Sequence, residues 1–124
     1  MRLTALGLVL TLLTGCAVVA IVGVAAVGTG TYAYVNGELK REYPAPLDHT
    51  WAATVESLQA LEVEVIDSDK DQAGGRIEGL WYEKSTKLTF ESKPDEITLV
   101  KIRVGTFGDR DASEQIGNEI QKRL

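Results

Sequence analysis

Few side chains in this chain have the types to do covalent or metal chemistry: one cysteine, Cys16, one histidine, His49, and a run of alternating carboxylates, Asp67, Asp69 and Asp71. A thiolate nucleophile needs a neighbouring base, and His49 is the only imidazole available to serve as one. One thiol and one imidazole also fall short of the three or four ligands that a zinc site uses. The three aspartates sit at the spacing of the first ligands of a calcium loop, which further requires glycine at its sixth position and a bidentate glutamate at its twelfth. Counted from Asp67 these places hold Gln72 and Glu78, and Lys70 lies within the loop. Glu78 fits and Gln72 does not, and the run from Arg76 to Tyr82 reads as a strand where the motif needs a helix. Carboxylate-only chemistry through Asp109, Asp111 or Glu78 has no spacing signature. The expectation is therefore no metal, no cofactor and no enzyme.

Position explains the cysteine. Met1-Arg2 supplies a positive start, residues 3–13 are almost wholly apolar, and Thr14-Gly15 are small, which is the layout of a secretory signal. Leu13-Thr14-Gly15-Cys16 resembles the end of a bacterial lipoprotein signal peptide at all four positions. That resemblance implies lipidation of Cys16 on sulfur, cleavage before it and acylation of the new amino group. Residues 1–15 would then be the signal peptide, 16–30 the lipidated cysteine and an apolar tether, and 31–124 a periplasmic domain. Several acyl chains, at about 0.8 kcal/mol per buried CH₂, make such attachment nearly permanent. Ala17 stands where many lipoproteins retained at the inner membrane carry Asp, which by the same resemblance favours the outer membrane, with the inner membrane as the alternative.

The apolar character does not stop at the cysteine. Residues 3–30 carry no charge at all, enough for a transmembrane helix, so a single-span inner-membrane protein with an uncleaved signal anchor is the rival reading. After cleavage, the apolar run Ala17–Val27 would rise only about 16 Å as a helix against a hydrocarbon core of ~30 Å. It could not span. It could dip into lipid, pack on a partner, or self-associate through Ala20, Gly23 and Ala26.

The rest of the chain reads as one small domain. There are 13 basic and 18 acidic side chains, for a formal charge of −5, interspersed without a basic block. Nucleic-acid binding by phosphate neutralisation is not expected. Thr31–Val35 and Glu38–Tyr43 flank Asn36-Gly37, the strongest short hairpin signal, and Pro44 and Pro46 end the second strand. The tyrosines here read as packing or edge aromatics. Asp48 reads as the N-cap of a helix running to about Leu61, with Trp51, Val55, Leu58 and Leu61 as its apolar stripe and Ala52 beside it. His49 falls in the first turn, exposed. Glu62–Asp67 alternates as a strand, Ser68–Gly75 is a turn, and Arg76–Glu83, Lys87–Ser92 and Glu96–Val104 are three further strands, the last two joined by Lys93-Pro94-Asp95. Leu88 and Phe90 share one face; Val100, Ile102 and Val104 alternate with Lys101 and Arg103. Leu80, Trp81 and Tyr82 are contiguous, so one aromatic must lie off the core face. After Gly105-Thr106-Phe107-Gly108, Asp111 is expected to cap a final helix, with Glu114 completing a capping box and Ala112, Ile116, Ile120 and Leu124 on the inner face. An anion on this Gly-x-x-Gly turn is disfavoured by Asp109 and Asp111.

The Leu-x-Gly-Cys end, the Ala/Val/Gly run, the Tyr32-x-Tyr34-Val35-x-Gly37 hairpin and Ile102-Arg103-Val104-Gly105-x-x-Gly108-Asp109 before a short terminal helix resemble the small bacterial lipoproteins catalogued as domain of unknown function 3568. The resemblance spans essentially the whole chain, and it implies a fold and a location without assigning a reaction. The expected architecture is α+β, in the order β-β-α-β-β-β-β-α, with a mostly antiparallel sheet and both helices on one face. The expected role is non-catalytic: membrane attachment through the N-terminal lipid, with a partner-binding or structural function in the envelope. A small-ligand module is the other reading.

Overall fold

A computed structural model describes residues 32–124; the proposed signal, lipidation and tether segments lie outside them. The eight elements are β1 (Tyr32–Val35), β2 (Glu38–Tyr43), α1 (Leu47–Ala60), β3 (Glu64–Lys70), β4 (Gly74–Trp81), β5 (Lys84–Lys93), β6 (Ile97–Val104) and α2 (Arg110–Lys122). They form one six-stranded sheet in the order β1-β2-β6-β5-β4-β3, with every pairing antiparallel. The expected order and class hold. The single long connection carries the chain from β2 over α1 to the far edge at β3. The strands then return by hairpins until β6 lies beside β2.

Register explains the two layers. Leu39, Ile102, Leu88 and Ile77 lie in one row across four strands, and all four are buried. The side chains between them (Lys40, Lys101, Thr89 and Arg76) form the adjacent row on the opposite face. Ion pairs lace that outer face, including Lys101 to Glu91 at 2.8 Å and Arg76 to Asp67 at 3.2 Å. α1 and α2 pack on each other and on the inner face. One side of the sheet is therefore core and the other is wet, as period-2 alternation in an antiparallel sheet requires.

Several local expectations are corrected. The N-cap of α1 is Pro46, with no side-chain bond. Asp48 lies inside the first turn, where its carboxylate accepts from Lys70 Nζ at 2.7 Å. The buried strip of α1 is Leu47, Thr50, Ala53, Thr54, Ser57 and Leu58. Trp51, Val55 and Leu61 pack at the core's margin, and Ala52 is exposed. A pattern read by apolarity misses a helix wedged between a sheet and a second helix, where small polar side chains permit close approach. Their hydroxyls stay satisfied locally: Thr54 donates to Thr50 O at 2.8 Å and Ser57 to Ala53 O at 2.7 Å.

At the end of α1, Glu62 N–H donates to Gln59 O and Val63 N–H to Leu58 O, with Glu62 at φ 62°. This is the Schellman closure. It uses residues expected to begin a strand, so β3 starts later and runs through the expected turn to Lys70. A register shift between Val65 and Asp67 inserts Ile66 as an extra residue, a bulge of the kind that blunts edge strands. The turn itself is short: the Asp71 carboxylate accepts from Ala73 N–H and Gly74 N–H at 2.9 and 3.0 Å. The β4–β5 connection is a two-residue turn, Tyr82-Glu83, both residues left-handed at φ 53° and 63°. The expected strand end at Glu83 and restart at Lys87 are thus replaced by a tight hairpin.

Candidate functional site

The residues of the most specific sequence stretch, Ile102 to Asp109, meet the Asn36-Gly37 turn at one corner of the domain. Both residues of that turn are left-handed, at φ 55° and 81°, as its hairpin signal anticipates. Arg103 projects from β6 between the two loops. Its Nη2 donates to Asn36 O at 2.7 Å and its Nη1 to Thr106 O at 3.3 Å. The loops touch through backbone: a Cβ on Gly108 would lie 2.4 Å from Gly37 Cα, and one on Gly37 would lie 2.7 Å from Phe107 O. Only two glycines can pass this closely. Charge-assisted bonds to carbonyls stabilise by about 1.5–3 kcal/mol when sheltered, and less at a half-exposed corner. Arg103→Lys cannot reproduce the fork. It is expected to lower stability by ~1 kcal/mol and to speed amide exchange in residues 105–109. Unchanged exchange there would remove Arg103 from this role.

Asp109 completes the corner. It, and not Asp111, is the N-cap of α2, with Oδ1 accepting from Ala112 N–H at 3.0 Å. Its Oδ2 accepts from Lys84 Nζ at 2.8 Å. Glu114 lies beyond the capping-box position and pairs instead with Arg110 at 3.0 Å. The Lys84 ammonium first, then the Ala112 N–H, hold the Asp109 carboxyl below its ordinary 3.8. Because the folded state favours the charged form, the stability it supplies is complete above pH 3.8 and is lost as the pH falls through the lower folded value. Carboxyl NMR should place the Asp109 midpoint below 3.8, moving up toward it in Lys84→Met.

The tyrosines form the second polar cluster, under α2. Tyr43 is fully buried, and its hydroxyl donates to Gly117 O at 2.8 Å. The Arg41 guanidinium lies over the Tyr32 and Tyr43 rings at 5.1 and 5.2 Å, and donates to Asn118 and Gln121 of α2. Arg110 lies over Tyr34 at 5.6 Å. These contacts fasten the short edge strand β1 and its neighbour to the final helix. Burial pushes the Tyr43 phenol well above its ordinary 10.0. The neutral form is the one favoured on folding, so its contribution is full below pH 10 and is lost as the pH rises through the folded value. In an alkaline ultraviolet titration, Tyr43 should ionise last of the four tyrosines, together with unfolding. Early ionisation of all four would refute its sequestration.

In both clusters the polar groups are engaged within the fold. Arg41 and Arg103 meet amide oxygens and aromatic rings, and the Asp109 carboxylate is spent on a helix cap and a lysine. His49 is exposed in the first turn of α1. Asp67 is paired with Arg76 and Asp71 closes its own turn, so the aspartates do not converge. Among the described residues no group of three or more His, Cys, Asp or Glu side chains is placed to hold a metal ion. Beside Gly105–Arg110 and Lys84 the surface forms an open depression. Also among the described residues, no helix is long and apolar enough to cross a membrane. The lipobox residues Leu13, Thr14 and Gly15, with Cys16, lie outside the described residues.

In the sequence, the Arg103 to Asp109 stretch stands out as a Gly-x-x-Gly turn before a helix and as part of the family resemblance, with no role visible for Arg103. Its signal was the pairing of two glycines with an arginine two positions before the first. The reason for that spacing is the contact with Gly37, some seventy positions away in sequence. Comparison with curated proteins finds no match. The family described as "Protein of unknown function (DUF3568)" matches residues 1–123. With the match covering nearly its whole length, including the corner built by Gly37, Arg103 and Gly108, the chain belongs to the DUF3568 family.

Proposed function

We propose that the chain is a lipid-anchored bacterial envelope protein whose small domain has a non-catalytic role, binding a protein partner or serving as a structural element. The observation that carries this reading is Leu13-Thr14-Gly15-Cys16 at the end of an uncharged run behind Met1-Arg2. A lipidated Cys16 accounts for the odd thiol and removes the strongest nucleophile from any reaction. The polar groups of the domain support the non-catalytic half: Asp109, Glu91, Glu119 and Asp48 each face a cation at 3.0 Å or less. They act as caps and cross-links. Ala17 after the cysteine supports the outer membrane, with the domain in the periplasm.

The experiment is mass spectrometry of the mature N-terminus after expression in a Gram-negative host, with fractionation of Cys16→Ala alongside. Expected are a triacylated Cys16 as the first residue, and accumulation of the variant as uncleaved precursor. A native chain that retains Met1, with the variant processed and located identically, overturns the anchor.

A further inference from the structure

Large apolar side chains left exposed by the fold gather at one end of the sheet. Val35 closes β1, Leu80 and Tyr82 sit at the β4–β5 turn, Val65 and Ile66 open β3, and Phe107 follows β6. Register brings these places together. Val35 pairs with Glu38 at the start of β2, Leu39 pairs with Ile102 near the end of β6, Val104 with Thr86 near the start of β5, and Leu80 with Glu64 at the start of β3. Of the exposed large apolar side chains among the described residues, only Tyr32 lies away from this end, in the row of Arg41, Val100 and Phe90 and beneath the Arg41 guanidinium.

The two aromatics project the furthest. Phe107 is 92% exposed and Tyr82 is 81% exposed, and both stand at the tips of short, stiff turns. Phe107 is carried by a loop braced on Gly37 and Arg103. Tyr82 occupies a left-handed position, φ 53°, that such turns ordinarily give to Asn or Gly; the β1–β2 turn of this same chain uses those residues. One side of the Tyr82 ring rests on that of the buried Trp81, with the centroids 5.3 Å apart, and the rest is left open to solvent. Protruding aromatics on convex tips suit a flat, yielding surface better than a shaped pocket, and aromatic rings favour the boundary between headgroups and acyl chains.

We propose that this end is the membrane-facing surface of the domain, with Phe107 and Tyr82 inserting at the lipid headgroup boundary. The proposal rests on the lipid-anchored reading, and the tether supplies the reason that lipid is the occupant. Residues 17–27 are apolar and uncharged, leaving only four residues, Gly28-Thr29-Gly30-Thr31, between Val27 and Tyr32. Four extended residues reach about 14 Å. Tyr32 lies three positions before Val35 on β1, about 10 Å from the apolar end. With residues 17–27 laid in the lipid, the first of the fates open to that run, the domain is held this close to the bilayer and can turn this end onto it. Glu64 and Glu83 flank the patch, which limits entry to the aromatic tips. Asp109 brings no bare charge, being paired with Lys84.

The test uses the full chain, purified with its N-terminal segment and reconstituted into vesicles of phosphatidylethanolamine with a minor share of phosphatidylglycerol, part of it brominated on the acyl chains. Phe107→Trp is compared with Gln72→Trp at the opposite end, against the wild-type emission of Trp51 and Trp81. The added emission of Phe107→Trp should shift to the blue and be largely lost to bromine quenching, while that of Gln72→Trp is unaffected. Replacing Tyr82 by serine in the Phe107→Trp chain should weaken the quenching. A vesicle-bound Phe107→Trp chain that is not quenched, or equal quenching at both ends, overturns the proposal; the first result would return the patch to a protein partner or a second copy. Both probe sites are exposed, so neither substitution endangers the fold. An uncleaved anchor would leave the chain on the vesicles, so failure of the lipidation reading shows in the N-terminal mass and failure of this proposal in the quenching.

Discussion

Gly108→Ala is expected to destabilise the domain by about 3 kcal/mol, adding ~1–2 kcal/mol for a side chain in the left-handed region to an overpacking cost of ~1–3 kcal/mol. At φ 86° the new Cβ would meet the Gly37 Cα and O at 2.4 Å, and both are backbone atoms that cannot rotate away. The loops must separate, which strips Arg103 of one of its two carbonyl partners and withdraws the Asp109 cap from its place. For a domain of this size, ~3 kcal/mol lowers Tm by roughly 12–24 °C, a large share of a total stability of about 5–14 kcal/mol. Gly105→Ala is the control. Gly105 has almost the same φ, 81°, but its Cβ would find only Lys84 Cδ at 3.9 Å, so its cost should be conformational alone, ~1–2 kcal/mol. Urea unfolding of the two variants separates the contributions. Equal losses would mean that the contact with Gly37 is not what holds the corner.

Tyr43→Ala should cost about 3–5 kcal/mol, the range for removing a large aromatic from a core. The ring is wholly buried between β2 and α2, with its hydroxyl against Gly117 and Leu39 close by. Tyr43→Phe isolates the hydroxyl. It removes only the bond to Gly117 O, whose carbonyl also lies within the helical ladder, and should cost ~1 kcal/mol. That variant should also abolish the late step of the alkaline titration. A Tyr43→Phe variant as unstable as Tyr43→Ala would place the weight on the hydroxyl and not on packing.

The two halves of the chain were legible to different degrees. The strand and helix order could be read because alternation marks a half-buried strand without reference to its partner: Val100, Ile102 and Val104 alternate with Lys101 and Arg103, and all three apolar members are buried. Asn36-Gly37 announced its hairpin because the left-handed conformation is a local preference. Tyr82-Glu83 and Asp95-Glu96 adopt the same conformation with no local reason to do so; pairing of the strands on either side imposes it. The same holds for Glu62, which closes α1 because Val63 must enter the core. Helix caps were misplaced by two residues for a related cause: only the path of the chain decides that Asp109 and not Asp111 reaches a free N–H at α2, and that α1 already begins at Pro46, leaving Asp48 inside its first turn.

For function the division is sharper. By itself the sequence determined family membership, and it supplies the ground for a membrane anchor at Cys16, because a signal read by processing machinery must be linear. It also placed Arg103, Gly105, Gly108 and Asp109 at a fixed spacing without a reason for it. Only the tertiary structure decided that Gly108 rests on Gly37, that Arg103 ties their two loops, and that Asp109 is spent on Lys84 and a helix cap. It also brought Phe107, Tyr82 and Val35, far apart in sequence, to one end of the sheet. The physical reason is range: apolarity, small size and turn preference act between neighbours in sequence, whereas close backbone contact, shared register and a common surface exist only once distant segments meet.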